Sequence, residues 1–484
     1  MIKKFLKIII SFSLIISFSV ILGCATNTAT DKKPAEKTAV DPADKPVEKT
    51  VEEPAVKPGD NSVKPAKEPV ADKEEKLVEK IALEAESGNM EKALQLYEEE
   101  KGEDPLLHAI LLIKNKRLDE AEAILSEIIK NDNSNITALY YSSLIYNIKG
   151  DINNEKKVLE KIIAIDPDNP DTNISLGRIY VREKSYNKAE TYFKKVVSSN
   201  NYIEDAVLGY GMVLLSQKKN KAALEQFNTV IEHNPNNMFA YIQRSQIKSA
   251  ADDFKGAESD LDEAVRIDSD YMWNYLDRGR ARLYGGRYDA AAEDFTKVLS
   301  YDGSNFIAYI HRAQANERMG KDDLALVDYK KAFGLRGDYK RAYVPYALQL
   351  YKNEQWNDAA IYFIKAYTID KSPEYLLLGA ASLFNAGEKK KATKLIQDNI
   401  NKIPKENILH HVSRLYIDPP YEAMVLNKLK TEEDAFEKMK GMFYTAVYYD
   451  IMGKNNISKK YYTEIIEADF PETLEYRVAS WKVQ

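Results

Sequence analysis

Three arginine–aspartate pairs recur through the middle of the 484-residue chain. The two residues of each pair are 16 positions apart, and successive pairs are 34 positions apart. In chain order the pairs are Arg244 with Asp260, Arg278 with Asp294, and Arg312 with Asp328. A guanidinium can hold a carboxylate through two parallel hydrogen bonds. A catalytic carboxylate is instead expected alone in a cleft, so three identical copies predict a repeated structural ion pair.

The five histidines give little support to metal chemistry. They are His108, His233, His311, His410 and His411, and no two have the i, i+4 spacing of a helical metal site. No phosphate-binding loop or nucleophile motif occurs. We therefore expect no metal and no cofactor. One crowded group, His410, His411, Arg414 and Asp418, is kept as the place where an enzyme's site would lie.

The single cysteine, Cys24, follows an N-terminal stretch with the features of a secretory signal. Lys3, Lys4 and Lys7 precede an apolar run that is too short for a comfortable transmembrane helix. The residues before Cys24 resemble a bacterial lipobox, which implies a signal peptide at 1–23 and a lipidated cysteine. A plain signal peptide with an incidental cysteine is the alternative. Because Ala25 is not an aspartate, the periplasmic face of an outer membrane is favoured if the cell is Gram-negative.

Residues 24–72 join this cysteine to the rest of the chain. They alternate Pro with Lys, Glu, Ala, Val and Thr, and they contain no aromatic residue. Such a segment cannot bury enough apolar surface to offset the entropy of ordering. We predict a disordered, partly extended tether.

A 34-residue period organises the chain after the tether. Intervals of 34 residues meet Ala121, Glu155, Ala189, Ala223, Ala257, Ala291, Ala325 and Ala359. Four and seven residues after each position stands another apolar residue, which is the spacing of one helix face. A fixed period of this length predicts stacked helical units.

The other half of each unit completes a known pattern. Leu176, Gly177 and Tyr180 stand upstream of Ala189, and turn glycines recur, for example at Gly150 and Gly286. The chain thus resembles the tetratricopeptide repeat (TPR) family over residues 74–471. The resemblance implies an all-α solenoid, a right-handed superhelix of about twelve helical hairpins at 73–471. Residues 406–438 are expected to form a degenerate unit with prolines at its turn, and 472–484 a C-terminal capping helix.

The resemblance also implies a ligand groove lined by the first helix of each unit. Its predicted lining is Ile174, Arg178, Leu208, Met212, Phe239, Ile242, Gln246, Trp273, Leu276, Arg280, Ile307, Ile310, Gln314 and Val344. Glu317 and Tyr351 stand at a further groove position of the family. Two interpretations stay open: the apolar rail from Ile174 to Val344 is exposed to a ligand, or the superhelix buries it.

The charge balance narrows the function classes. A formal net charge of −6 argues against a nucleic-acid partner, for which a basic stripe is expected. The primary hypothesis is a non-catalytic, membrane-anchored scaffold or assembly factor of the cell envelope that binds protein or peptide partners. The alternative is an accessory binding protein for a small or lipidic ligand, for example serving a transporter. An enzyme centred on residues 406–438 is the third hypothesis.

Overall fold

The computed structural model of the chain describes residues 70–199 and 201–483, with side chains from residue 74. The predicted signal peptide, Cys24 and the tether up to residue 69 lie outside the described residues. Every regular element in the described ranges is helical, so the predicted all-α fold is confirmed. The first described helix begins at Val70, so its first three residues fall within the predicted tether.

The first compact unit runs through Val230. Consecutive helices in it pack as hairpins. They are α1 (Val70–Glu86), α2 (Met90–Glu99), α3 (Pro105–Lys114), α4 (Leu118–Asn131), α5 (Ile136–Lys149), α6 (Ile152–Ile165), α7 (Pro170–Arg182), α8 (Tyr186–Val197), α9 (Glu204–Ser216) and α10 (Asn220–His233), the last of which extends past Val230.

The second unit begins at Ile231 and is built in the same way. Its helices are α11 (Met238–Ala250), α12 (Phe254–Ile267), α13 (Met272–Tyr284), α14 (Tyr288–Tyr301), α15 (Phe306–Arg318), α16 (Asp322–Leu335), α17 (Tyr343–Lys352), α18 (Trp356–Asp370), α19 (Pro373–Asn385), α20 (Lys389–Gln397), α21 (Ile408–Ile417), α22 (Glu422–Thr431), α23 (Ala435–Ile451), α24 (Asn455–Glu467) and α25 (Leu474–Val483). In each hairpin we call the odd-numbered helix the first helix and the even-numbered one the second.

Several hairpins close on a glycine that faces an aromatic ring. Ala291 on α14 is fully buried, and the Phe295 ring one turn later reaches Gly279 on α13. A Cβ atom at Gly279 would lie 2.8 Å from that ring. The same pairing joins Gly177 with Phe193. Small residues at these points let the two helices approach closely enough to exclude water.

Glu155 is the one member of the alanine series that is not an alanine, and polar partners hold its carboxylate. Glu155 is buried, and its carboxylate accepts hydrogen bonds from Asn147 at 2.9 Å and Arg182 at 3.2 Å. Desolvation still raises the pKa of Glu155 above its ordinary value. The buried carboxylate therefore carries a desolvation penalty that its two partners only partly offset.

The turn inside every hairpin except α21–α22 uses a left-handed residue. Glycine fills this position at Gly150, where φ is 73°. Lys184 and Lys218 adopt φ values of 56° and 62° at the equivalent positions. The turn conformation is thus imposed by the hairpin packing even where the local residue disfavours it.

The degenerate unit predicted at 406–438 also contains a hairpin. Helices α21 and α22 are joined by a short 3₁₀ helix at Pro419–Tyr421. Pro419 and Pro420 thus stand at the inter-helix turn, where a missing backbone N–H is tolerated.

The three predicted ion pairs are all present, and each is bidentate. The Nε to Oδ2 distances are 3.0, 3.1 and 2.8 Å, and the Nη2 to Oδ1 distances are 2.7, 2.8 and 2.7 Å. These distances belong to Arg244–Asp260, Arg278–Asp294 and Arg312–Asp328 in turn. Each pair joins the first helix of a hairpin to the second, so it fixes how the two helices lie against each other.

The arginines also reach the preceding hairpin. Arg278 Nη1 donates to Asp262 at 2.8 Å, and Arg312 Nη1 donates to Thr296 at 3.0 Å. The two acceptors are 34 residues apart, so the contact repeats with the fold. One guanidinium therefore holds three helices and couples neighbouring repeats.

The Asp294 carboxylate accepts hydrogen bonds from two arginines. One is Arg278, and the other is Arg282, at 2.9 Å. Desolvation nevertheless raises the pKa of Asp294, against the lowering effect of both guanidiniums. The pair therefore fixes geometry more than it adds stability, although removing one partner is expected to be costly.

We expect Asp294→Ala to lower the free energy of unfolding by about 3–5 kcal/mol, because two mostly buried guanidiniums lose their shared carboxylate. Asp262→Ala is the matched control. Asp262 contacts the same two arginines, but its side chain is 49 % exposed, against 4 % for Asp294. Its loss should amount to less than about 1 kcal/mol. Urea denaturation followed by circular dichroism measures the free energy of unfolding of both variants. Equal losses of stability would contradict the structural role given to Asp294.

Candidate functional site

The apolar rail predicted to line the groove is packed into the repeats. Its members Ile174, Leu208, Ile242, Leu276 and Ile310 are all buried, and Val344 is half-buried. The first two lie in the first unit and the others in the second. Because neighbouring first helices lie close together, these side chains fill the space between them. A ligand at this surface meets the residues beside the rail.

In the second unit, α13 carries an accessible set of such residues. The Trp273 side chain is 39 % exposed, although indoles are usually well buried. Arg280, two turns further along, is 51 % exposed. Asp277 lies between them, and its carboxylate receives a 3.4 Å contact from Arg280. An aromatic ring, an acid and a guanidinium thus follow one another along α13.

Asp277 has an unusual environment. Its side chain keeps 31 % of its surface exposed, so solvent and ligands reach it. Desolvation by the surrounding protein nevertheless raises its pKa, against the lowering effect of Arg280. The carboxylate is therefore accessible to a ligand and at the same time partly desolvated by the protein. Asp277 was not predicted from the sequence, since it stands one position beside the buried Leu276.

The neighbouring first helices complete this surface. On α15, His311 stacks on Phe295 with ring centroids 5.4 Å apart, and its Nδ1 is 2.9 Å from Gln314 Oε1. Burial lowers the pKa of His311 to about 4, and Arg280 adds to that effect. The imidazole is therefore neutral at pH 7. Gln246 on α11 is exposed, and Phe239 and Ile307 are half-buried at the edges. We call Trp273, Asp277, Arg280, His311 and Gln314 the α13–α15 surface.

The first unit has a comparable surface formed by α5, α7 and α9. Arg178 Nη2 lies 3.1 Å from Asp205 Oδ2, which joins α7 to α9. Desolvation raises the pKa of Asp171 and of Asp205, and repulsion from Asp205 raises that of Asp171 further. Burial raises the pKa of Tyr140 on α5 to about 12. Met212 is half-buried on α9. The family pattern could have found both aspartates, because they occupy groove position 2.

The histidine cluster of the degenerate unit is a packing arrangement around Tyr421. His411 Nδ1 is 2.9 Å from the Tyr421 hydroxyl, and Arg414 lies over the same ring at 4.7 Å. His410 Nδ1 is 3.0 Å from the Ile403 carbonyl oxygen. Asp418 is exposed at the end of α21. Both histidines thus use Nδ1 in structural contacts, which gives no support to acid–base chemistry here.

Across 70–199 and 201–483, no group of three or more His, Cys, Asp or Glu side chains is arranged to hold a metal ion. None of the helices in these ranges has the length and apolar character needed to cross a membrane.

Two protein-family models match the chain. Residues 73–258 match a model described as the N-terminal ARM repeat of tetratricopeptide repeat protein 21, and residues 276–340 match a model described as tetratricopeptide repeat. No curated protein matches.

Solved structures of low identity resemble the chain. A tetratricopeptide repeat protein from Parabacteroides merdae is 21 % identical, covers 48 % of this chain and 93 % of its own, and has a TM-score of 0.39. PilF from Pseudomonas aeruginosa is 15 % identical, with 45 % and 96 % coverage and a TM-score of 0.39. YrrB, described as a TPR protein with an unusual peptide-binding site, is 17 % identical, with 38 % and 95 % coverage and a TM-score of 0.34.

The family models and the repeated hairpins agree on one conclusion. Both models fall on the helical repeats, and the small-to-large packing and the turn conformation recur with the 34-residue period. The chain is therefore a tetratricopeptide repeat protein.

Proposed function

We propose that this protein is a non-catalytic scaffold that binds a protein or peptide partner on the inner surface of its first helices. The observation that carries the proposal is the α13–α15 surface. It combines an accessible indole, a desolvated carboxylate and an exposed guanidinium. Tryptophan and arginine are the residues most often found to dominate binding energy at interfaces.

The chemistry of this surface favours a peptide over a lipid. The apolar rail that would receive an acyl chain is buried. What remains accessible offers one aromatic face, one acceptor at Asp277 and one donor at Arg280. Such a set suits a peptide that brings an apolar side chain to Trp273, a donor to Asp277 and a carbonyl or carboxylate to Arg280. A small or lipidic ligand therefore has less support than a peptide.

The effect of Asp277 on the stability of the folded chain supports the same proposal. The raised pKa of Asp277 means that the charged carboxylate destabilises the folded chain at neutral pH. Binding would recover this loss if the partner supplies a hydrogen-bond donor or a positive charge. The acid is thus better explained by recognition than by folding.

We further propose that the scaffold is held at the cell envelope by a lipid on Cys24. The support is the sequence before Cys24, together with the Pro-rich residues that follow it. Several acyl chains, each contributing about 0.8 kcal/mol per buried methylene, would give a durable anchor. The tether would let the repeats reach partners away from the membrane, on the periplasmic face of the outer membrane if the cell is Gram-negative.

Trp273→Ala is expected to reduce partner recovery at least about tenfold, because truncating an aromatic anchor commonly costs about 2 kcal/mol or more. The measurement is a crosslinking pull-down from intact cells, quantified by mass spectrometry. Leu324→Ala is the control, since Leu324 is 54 % exposed but lies on the second helix α16. Unchanged recovery with Trp273→Ala, or equal losses from both variants, would contradict the proposed site.

Asp277→Asn is expected to stabilise the chain at pH 7 while weakening partner binding. The folded pKa of Asp277 is raised, so the charged form opposes folding above that pKa. The gain should disappear as the pH falls below the ordinary value of 3.8, where the wild-type carboxyl is neutral in both states. Thermal denaturation of the variant and the wild type between pH 3 and 7 measures this gain in stability. Glu293→Gln, on an exposed residue of α14, should show no such gain, and a destabilised Asp277→Asn would refute the argument.

Cys24→Ser is expected to move the protein from the membrane fraction to the soluble fraction, because the thioether to the lipid cannot form. Cell fractionation with and without detergent provides the measurement. Ala25→Ser keeps the thiol and should stay membrane-bound. A Cys24→Ser protein that remains in the membrane fraction would show that the anchor lies elsewhere.

A further inference from the structure

Helix α25 reaches much further back along the chain than a cap on the last hairpin needs to. Arg477 forms an ion pair with Glu317 on α15. The Trp481 ring lies 4.9 Å below Lys352 Nζ on α17. Lys482 Nζ is 3.2 Å from Asp450 on α23. Helix α25 therefore touches the first helices of three different hairpins of the second unit.

The surface that α25 covers has the features of the predicted groove. Glu317 stands at a groove position of the family and also accepts a hydrogen bond from Gln349 at 2.7 Å. Tyr351, at the equivalent position of the next repeat, is buried. Tyr444 on α23 donates from its hydroxyl to Glu475 of α25 at 3.2 Å. The short helix α25 thus packs on a surface that contains an acidic group, aromatic rings and apolar residues.

Helix α25 packs against α24 and adds polar and aromatic contacts to α15, α17 and α23. It has ten residues, a length at which an isolated helix is marginal in water. Its buried side chains are Glu475, Val478 and Ala479, and Leu474, Trp481 and Val483 pack partly buried against the same core. Burial also lowers the pKa of Arg477 to about 10, so docking partly desolvates the guanidinium. We expect such a terminal element to open at a free energy below that of global unfolding.

We propose that the inner surface formed by α15, α17 and α23 is a helix-binding site, and that α25 is its releasable intramolecular ligand. The partner chemistry is that of α25: a short helix with an arginine for Glu317 and a tryptophan four residues later for Lys352. A helix of this kind on another molecule gains access only when α25 leaves. The inference rests on residues other than the α13–α15 surface, so it can fail independently of the proposed function.

The test uses the full chain and a fluorescent peptide of residues 470–484. In the Arg477→Glu chain, two carboxylates face each other and α25 should undock. Hydrogen exchange in residues 474–483 should then become at least tenfold faster than in the wild type. The peptide should bind this variant, as followed by fluorescence anisotropy, and not the wild-type chain, whose site is filled.

A charge swap provides the matched control. The chain with both Glu317→Arg and Arg477→Glu restores the ion pair, so α25 should be protected again and the peptide should not bind. A peptide that itself carries Arg477→Glu should not bind the Arg477→Glu chain, because both partners would then be acidic.

Three results would overturn the proposal. Unchanged exchange of α25 in the Arg477→Glu chain would show that the inner contact does not hold the helix. Faster exchange without peptide binding would show that the uncovered surface does not accept a helix. Faster exchange that extends through α23 and α24 would show that α25 belongs to the core and is not releasable.

Trp481→Ala, which leaves every charge in place, should also release α25, through loss of the Lys352 contact.

Discussion

Two helices can lie side by side at close range only where one of them presents almost no side chain. Ala291 and Gly279 provide this in one hairpin, and the Phe295 ring fills the space that they leave. The alanine recurs every 34 residues, so the approach recurs as well. The arginine–aspartate pairs then fix the helix arrangement in three hairpins, and Arg278 and Arg312 link their hairpins to the one before. This close approach sets the spacing of the first helices, and that spacing decides what their inner surface can offer.

The spacing is small enough to bury the apolar rail. Ile242 and Leu276 are part of the core, so the side chains beside them are the ones that can contact a partner. Trp273, Asp277 and Arg280 keep accessible surface because they project past the rail. The binding chemistry is therefore aromatic and polar. At α15, α17 and α23 the same kind of inner surface is already covered by α25.

The fold was largely predictable because it depends on a pattern that repeats. The period of Ala121 to Ala359 defines the hairpins, and the spacing of Arg278 and Asp294 identifies their ion pair. The contact from Arg278 to Asp262 was not predicted, because it depends on how two hairpins stack. The reach of Arg477 to Glu317 was not predictable either. It joins residues far apart in the sequence and depends on the curvature accumulated over several repeats.

The candidate site was predicted less well than the fold. The family pattern included Trp273 and Arg280 but left open whether the rail is exposed or buried, since one sequence does not reveal how closely neighbouring repeats pack. Asp277 gave no signal in the sequence, because its desolvation arises from residues on neighbouring helices. Lys218 similarly occupies a turn position where a glycine would be expected, and only the backbone shows its left-handed conformation.

The central claim is that partners bind the inner surface of the first helices. Incorporation of a photoreactive amino acid at single positions in living cells tests it most directly. Position 280, on the inner side of α13, should give a covalent adduct with a protein partner. Positions 324 and 361, exposed on the second helices α16 and α18, should not. Adducts from positions 324 and 361, with none from 280, would contradict the account.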